Sequence, residues 1–255
     1  MPTNISHPTY QPLHINNQAK QFPFQKNTRT SHVLPTIKMP PFICVGKISP
    51  KTPSARQQFI TTFESVIAHT TAHEPDVTKY ALTVPLDEPD SLALYIIEEY
   101  KSQASFDAHV KTAPVLALIK TISDQSIQTS PVHVTMADPL LGVDRPTVSS
   151  FSDPLVFWAH ITYPDVYTRG DALKGWKNCV EYAQGNEPET GMYMILQDRE
   201  ARTSIRVLEA FTGEKAWKEN HRFSDVVVRH VAAEGVRGAK VDVVRLRKIA
   251  GFLGR

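Results

Sequence analysis

The chain has 255 residues, of which 41% are apolar and 21% charged, with a formal net charge of +2. That balance is ordinary for a soluble globular protein able to bury a core, and it excludes a dedicated nucleic-acid binder. No stretch approaches the roughly 18–20 apolar residues of a membrane span, and the only cysteines, Cys44 and Cys179, make no secreted disulfide framework.

Residues 1–40 are rich in Asn, Gln, Ser, Thr and Pro. Four basic residues (Lys20, Lys26, Arg29 and Lys38) and no acid fall before Phe42, and the first acidic residue is Glu64. A disordered tail is the expectation, with an organellar transit peptide as the alternative; the expected compartment is the cytoplasm. Phe42–Ile48 is an apolar run that reads as a strand. Thr52-Pro53 then starts a helix, Thr52 as N-cap and Pro53 in the first turn, with Phe59, Phe63, Val66 and Ile67 at helical spacing as far as about His69. Residues 77–84 and 91–100 read as strands joined by PLDEPD, residues 102–110 as a helix that resumes after Pro114, and 132–136 as a closing strand. The order is βαββαβ. Residues 138–153 (DPLLGVDRPTVSSFSD) read as a linker. The order then repeats: a strand over 155–162, and a helix with Ala172, Leu173, Trp176, Val180 and Ala183 on one face. Hairpin strands over 192–197 and 203–211, a helix from about 213 to 223, and a strand over 240–247 complete it, and the last eight residues read as a loose end.

The second half repeats the first in sequence as well. EPDVTKYALTV and LALYIIEEYKSQASFDAH match EPETGMYMILQ and SIRVLEAFTGEKAWKEN, so Glu74-Pro75 aligns with Glu187-Pro188 and Tyr80 with Tyr193, offset 113. After a shorter hairpin, Glu98, Tyr100, Phe106 and His109 align with Glu209, Phe211, Trp217 and Asn220, offset 111. The expected fold is α+β: two tandem ferredoxin-like units, 41–137 and 154–248. Each unit leaves one sheet face bare, so the two are expected to cover each other as an intramolecular α/β barrel.

Several residues are candidates for chemistry. Glu98 and Glu209 sit in alternating strands on the face of bulky apolar neighbours, where a carboxylate either is paired structurally or has the raised pKa of an acid or base. His73 and His109, with His69, cluster near helix ends; their aligned partners are Asn186, Asn220 and Tyr182, an asymmetry pointing to a function special to the first copy. His69 and His73 share a helix face, but no HExxH, CxxC or third ligand accompanies them, so no metal is expected. Trp176, Tyr193, Trp217 and His221 form an aromatic set in the second copy, suited either to core packing or to stacking on a flat ligand. Gly-rich phosphate loops, a GxSxG elbow and a Ser/His/Asp arrangement are missing.

The pattern EP-x-x-x-x-Y, an apolar strand ending E-x-aromatic, and a helix with His or Asn nine residues after that aromatic resembles the antibiotic-biosynthesis monooxygenase (ABM) superfamily, twice over. The resemblance implies the dimeric α/β barrel, here fused into one chain as a pseudo-dimer, with a further homodimer left open. It implies family-motif positions at Glu98, Tyr100 and His109, and at Glu209, Phe211 and Asn220. The stretch AFTGEKAWKENHRF resembles the anthrone-oxygenase version, with Asn for His, whereas Tyr100 and Phe211 replace the family's usual Trp. The Asn and His pair of haem-degrading members has no clear place, so haem is not expected.

Two functions follow. In the first, a cofactor-independent monooxygenase oxidises a small phenolic, anthrone or quinol with molecular oxygen. His73, His109, Tyr80, Tyr193, Asn220 and His221 would carry the chemistry; Glu98, Tyr100, Trp176, Glu209, Phe211 and Trp217 would bind the substrate. The second is a non-catalytic ligand-binding or stress-related barrel.

Overall fold

The computed structural model describes residues 41–87, 91–124 and 126–255. The segment expected to be a disordered tail, and part of the turn after Pro85, lie outside them. The elements follow the expected order. In the first unit they are β1 (Phe42–Ile48), α1 (Pro53–His73), β2 (Val77–Pro85), β3 (Leu94–Tyr100), α2 (Gln103–His109), α3 (Ala113–Ile122) and β4 (His133–Asp144). In the second they are β5 (Leu155–Thr162), α4 (Val166–Asn186), β6 (Thr190–Asp198), β7 (Ser204–Phe211), α5 (Glu214–Ala216), a π-helical turn (Trp217–His221), α6 (Asp225–Val236) and β8 (Lys240–Phe252). Thr52 caps α1 as expected: its hydroxyl accepts from the Ala55 amide at 3.1 Å.

The eight strands close one antiparallel barrel in the order β1-β3-β2-β8-β5-β7-β6-β4. Strand parity divides the side chains. Ile43, Val45, Ala81, Ile97, Trp158, Met194, Leu208 and Leu246 point into the barrel and form one core. The opposite faces carry two further cores under the helices, one around Phe59, Phe63, Tyr80 and Tyr100, the other around Trp176, Cys179, Tyr193 and Val207. Both cysteines are free and buried.

The barrel closes by exchange of the last strand of each unit, and here the structure departs from the expected boundaries. The start of β4 pairs with β1 (Ile43 opposite Ala137), but the strand continues through Asp144 and pairs with β6 of the second unit (Asp144 opposite Met192). Half of the segment read as a linker is therefore strand; a short 3-10 helix over Pro146–Ser150 makes the connection. Likewise β8 pairs with β5 as far as Arg247 and then with β2 of the first unit, out to Tyr80 opposite Phe252. The last eight residues are not a loose end, and Leu253 is fully buried in the barrel core. Gly251 makes the close approach to β2 possible: its φ is +80°, and a Cβ there would lie 2.0 Å from the Tyr80 carbonyl oxygen. Composition alone misreads both segments, because Pro, Gly and Ser in the first and two glycines in the second disfavour a strand while the pairing partner is a distant strand.

Candidate functional site

Each unit carries a buried acid–imidazole pair between its sheet and its helices. In the first unit α1 ends at Glu74, whose carboxylate accepts from the Thr70 hydroxyl at 2.7 Å and from His109 Nδ1 at 3.0 Å. The His109 ring is packed between Tyr80 and Tyr100, with centroids 5.3 and 5.4 Å away. The Tyr100 hydroxyl donates to Glu98 Oε2 at 2.7 Å. Burial pushes the Glu98 carboxyl above its ordinary range, against the pull of His109 and Tyr100. Burial also raises the phenols of Tyr80 and Tyr100.

The second unit rebuilds this arrangement with one change of register. Glu187, at the end of α4, accepts from the Thr190 hydroxyl at 2.7 Å and from His221 Nδ1 at 2.8 Å. Tyr193 and Phe211 flank His221 at 5.2 and 5.0 Å, and Glu209 Oε1 lies 3.7 Å from its Nε2. The partner of His109 is thus His221, not Asn220. The π turn accommodates the extra residue: the Arg222 amide donates to the Trp217 carbonyl five residues back. Asn220 is exposed and its amide donates to Glu189 at 2.8 Å. At the His109 position the expected histidine asymmetry between the copies therefore disappears in space, while His69 and His73 keep no histidine counterpart. Burial pulls His221 down, but the Glu187 hydrogen bond and the charge of Glu209 outweigh it and hold the imidazole above its ordinary value. Burial raises Glu209, opposed by His221.

His73 does not join its unit's cluster. It is exposed at the end of α1 and packs against the His69 ring at 4.9 Å. Among the described residues, no group of three or more His, Cys, Asp or Glu is placed to hold a metal ion.

The real asymmetry lies one layer out, in the final helices. Six residues after the N-caps Thr112 and Ser224, the first unit has Leu118 and the second His230. Four residues further on, the pair is Ile122 and Glu234. Leu118 and Val115 pack into the core of the first unit with Phe59, Phe63 and Tyr80. In the second unit a cavity of about 410 Å³ occupies this layer. Trp176, Tyr193, Trp217 and Phe223 form its aromatic wall, and Glu209, His221 and His230 its polar points. Trp176 is oriented by a hydrogen bond from its indole to the Tyr163 hydroxyl at 2.9 Å, and Trp217 rests on Phe157 at 5.0 Å. Phe211 contributes no hydroxyl, so nothing equivalent to the Tyr100–Glu98 bond ties up Glu209. Sequence reading passed over His230, Glu234 and Tyr163. The available signal was a His and a Glu four apart on a helix, where the repeat has two aliphatic residues.

Residues 41–121 match the family model described as antibiotic biosynthesis monooxygenase. Two solved structures, each called a "putative monooxygenase", share the fold over nearly the whole described chain. The one from Fusobacterium nucleatum has a TM-score of 0.73 at 18% identity, covering 85% of this chain and 96% of that one. The one from Lactobacillus acidophilus has a TM-score of 0.69 at 13% identity, covering 84% and 97%. An anthrone oxidase-like protein follows, with a TM-score of 0.55, 12% identity and coverage of 82% and 92%. No curated protein matches the chain. The fold is the dimeric α/β barrel, assembled here from two similar units in one chain, the first of which carries the match to the family model.

Proposed function

We propose, for a chain whose residues 41–121 match the antibiotic biosynthesis monooxygenase family model, that the second unit's cavity binds an electron-rich phenolic, anthrone or quinol and oxidises it with molecular oxygen and no resident cofactor. The observation that supports this reading is the convergence of Glu209, His221 and His230 on one aromatic-walled cavity of about 410 Å³. Such a volume suits a planar polycyclic molecule, and such walls favour stacking. In the reaction, an acidic C–H or O–H of the substrate gives up a proton, and the resulting anion supplies the electrons that reduce oxygen. For an anthrone the balance is CH2 + O2 → C=O + H2O, with no other oxidant or reductant. His221, whose protonated form Glu187 favours, faces the cavity where the substrate anion forms and would stabilise it electrostatically. The names of the anthrone oxidase-like and monooxygenase neighbours lend the reading further support.

Oxygen uptake with a panel of anthrones and quinols, without added flavin or metal, tests this. The expected result is one O2 consumed per quinone formed; His221→Gln is expected to lower kcat on the order of 10²-fold. Ligand binding without any oxygen uptake across the panel would replace the enzyme reading by that of a binding protein. Phe211→Tyr carries a second expectation. It transplants the hydroxyl of the first unit, which would engage Glu209 of the cavity lining, and turnover should fall by about tenfold, the scale of one hydrogen bond to a charged group.

A further inference from the structure

Among the described residues three histidines are buried, His109, His221 and His230. The first two are bonded to a glutamate. His230 is 6% exposed, yet neither of its ring nitrogens has a hydrogen-bond partner. Its ring lies between two spaces. On one side is the aromatic cavity; on the other is an open groove of about 350 Å³ between α4 and α6, lined by Gly175, Asn178, Arg229 and Ala233. Gly175 lets the ring pack directly against α4 at the floor of that groove: a Cβ there would come within 2.4 Å of His230 Nδ1 and displace the ring. Trp176 holds the ring edge-to-face, with centroids 4.2 Å apart.

The charged groups around the ring leave it free to exchange a proton. On its own helix, Glu234 Oε1 stands 3.6 Å from Nδ1, beyond hydrogen-bond reach, and is held by Arg237 at 2.7 Å; Arg229 lines the groove. From α4 come only Gly175, Trp176 and Asn178, and from the end of β5 the Tyr163 phenol beside Glu234. Across the cavity stand Tyr193, Glu209, His221 and Arg222. Burial pulls His230 below its ordinary value, with Glu234 opposing and Arg237 reinforcing the shift, so the neutral ring is favoured.

We propose that His230 is the proton-accepting group of this cavity and relays the proton to solvent through the groove that it lines together with Gly175 and Asn178. One nitrogen takes the proton from the bound phenol or anthrone, the other releases a proton into the groove, and a ring flip restores the starting tautomer. The identity of the proton donor rests on the oxygenase reading above; the position of the relay does not.

The test uses the intact chain and two independent readouts. The first is tryptophan fluorescence against pH. A protonated imidazole against Trp176 quenches it, so emission falls as pH drops in the wild type and stays flat over that range in His230→Gln and in Trp176→Phe. The second is oxidation of 1,8-dihydroxyanthrone. His230→Ala is expected to lose about 10²-fold or more in kcat, the scale of general base catalysis, and to regain activity with added imidazole, which enters by the groove. His230→Leu, which restores the leucine of the first unit, is expected to fold stably, to be as slow, and to show no rescue. A kcat and pH profile unchanged in His230→Ala overturns the proposal, as does a fluorescence titration that persists in His230→Gln. If the wild type oxidises no anthrone, the oxygenase reading falls, and the fluorescence titration alone decides whether His230 exchanges protons.

Discussion

Glu187→Ala is expected to lower the free energy of unfolding by about 3–5 kcal/mol, the cost of removing one partner from a buried charge pair. Glu187 is 3% exposed and accepts from both the Thr190 hydroxyl and His221 Nδ1. Alanine leaves His221 with Glu209 as its remaining acid, at 3.7 Å and itself pushed toward neutrality by burial. For a domain of this size the melting temperature falls by about 2–4 °C per kcal/mol. The pH dependence has a definite sign. His221 is raised in the folded state, so its contribution is complete below the unfolded value of about 6.5 and is lost as pH rises through the folded value. The gap between wild type and variant is therefore widest in mild acid and narrows as pH rises. Urea denaturation across that range, with an unchanged m-value, measures it; a gap that widens with pH would show that His221 is not charged in the native state.

Deleting residues 248–255 is expected to open the barrel. The deletion removes most of the part of β8 that pairs with β2, from Lys248 to Phe252, and takes away Leu253, whose burial alone is worth roughly 1.5–3 kcal/mol. It also removes Arg255, whose guanidinium donates to the carbonyls of Thr70 and Glu74 at the end of α1, beside the His109–Glu74 pair. The exposed edge of β2 then offers unpaired amides and carbonyls to another chain, so association should follow loss of stability. Light scattering after size-exclusion chromatography, over a range of concentrations, should show dimers or larger species for the deletion and a constant mass for the full chain. A deletion variant as stable and as concentration-independent as the full chain would mean that the β2–β8 pairing contributes little.

Local pattern carried much of this architecture. Alternation in LALYIIEEY puts Glu98 and Tyr100 on the face of Leu94 and Ile96, away from Ile97, and the structure has that division between helix-facing and barrel-facing cores. Thr52-Pro53 marked the start of α1, which runs past the expected end near His69 to His73. The candidate site was less legible. Tyr80, Tyr193, Glu98, Glu209, Tyr100, Phe211, His109 and His221 were singled out and are brought together within their units, whereas His73 and Asn220 face solvent. An ungapped repeat alignment pairs His109 with Asn220, since it contains no term for a π turn that lodges one more residue before the ring that bonds Glu187.

What the sequence by itself determined is therefore the periodic part: two βαββαβ units, their caps, and which side of each strand looks inward, all governed by contacts between near neighbours along the chain. What only the tertiary structure decided depends on residues far apart. The exchange of β4 and β8 joins segments up to about 170 residues distant, the missing Cβ of Gly175 matters only because His230 lies over it, and the cavity has His230 of α6 in its lining where α3 of the first unit packs Leu118 into a core. Side-chain packing in three dimensions sets these features, and no local pattern encodes which distant surface a residue will meet.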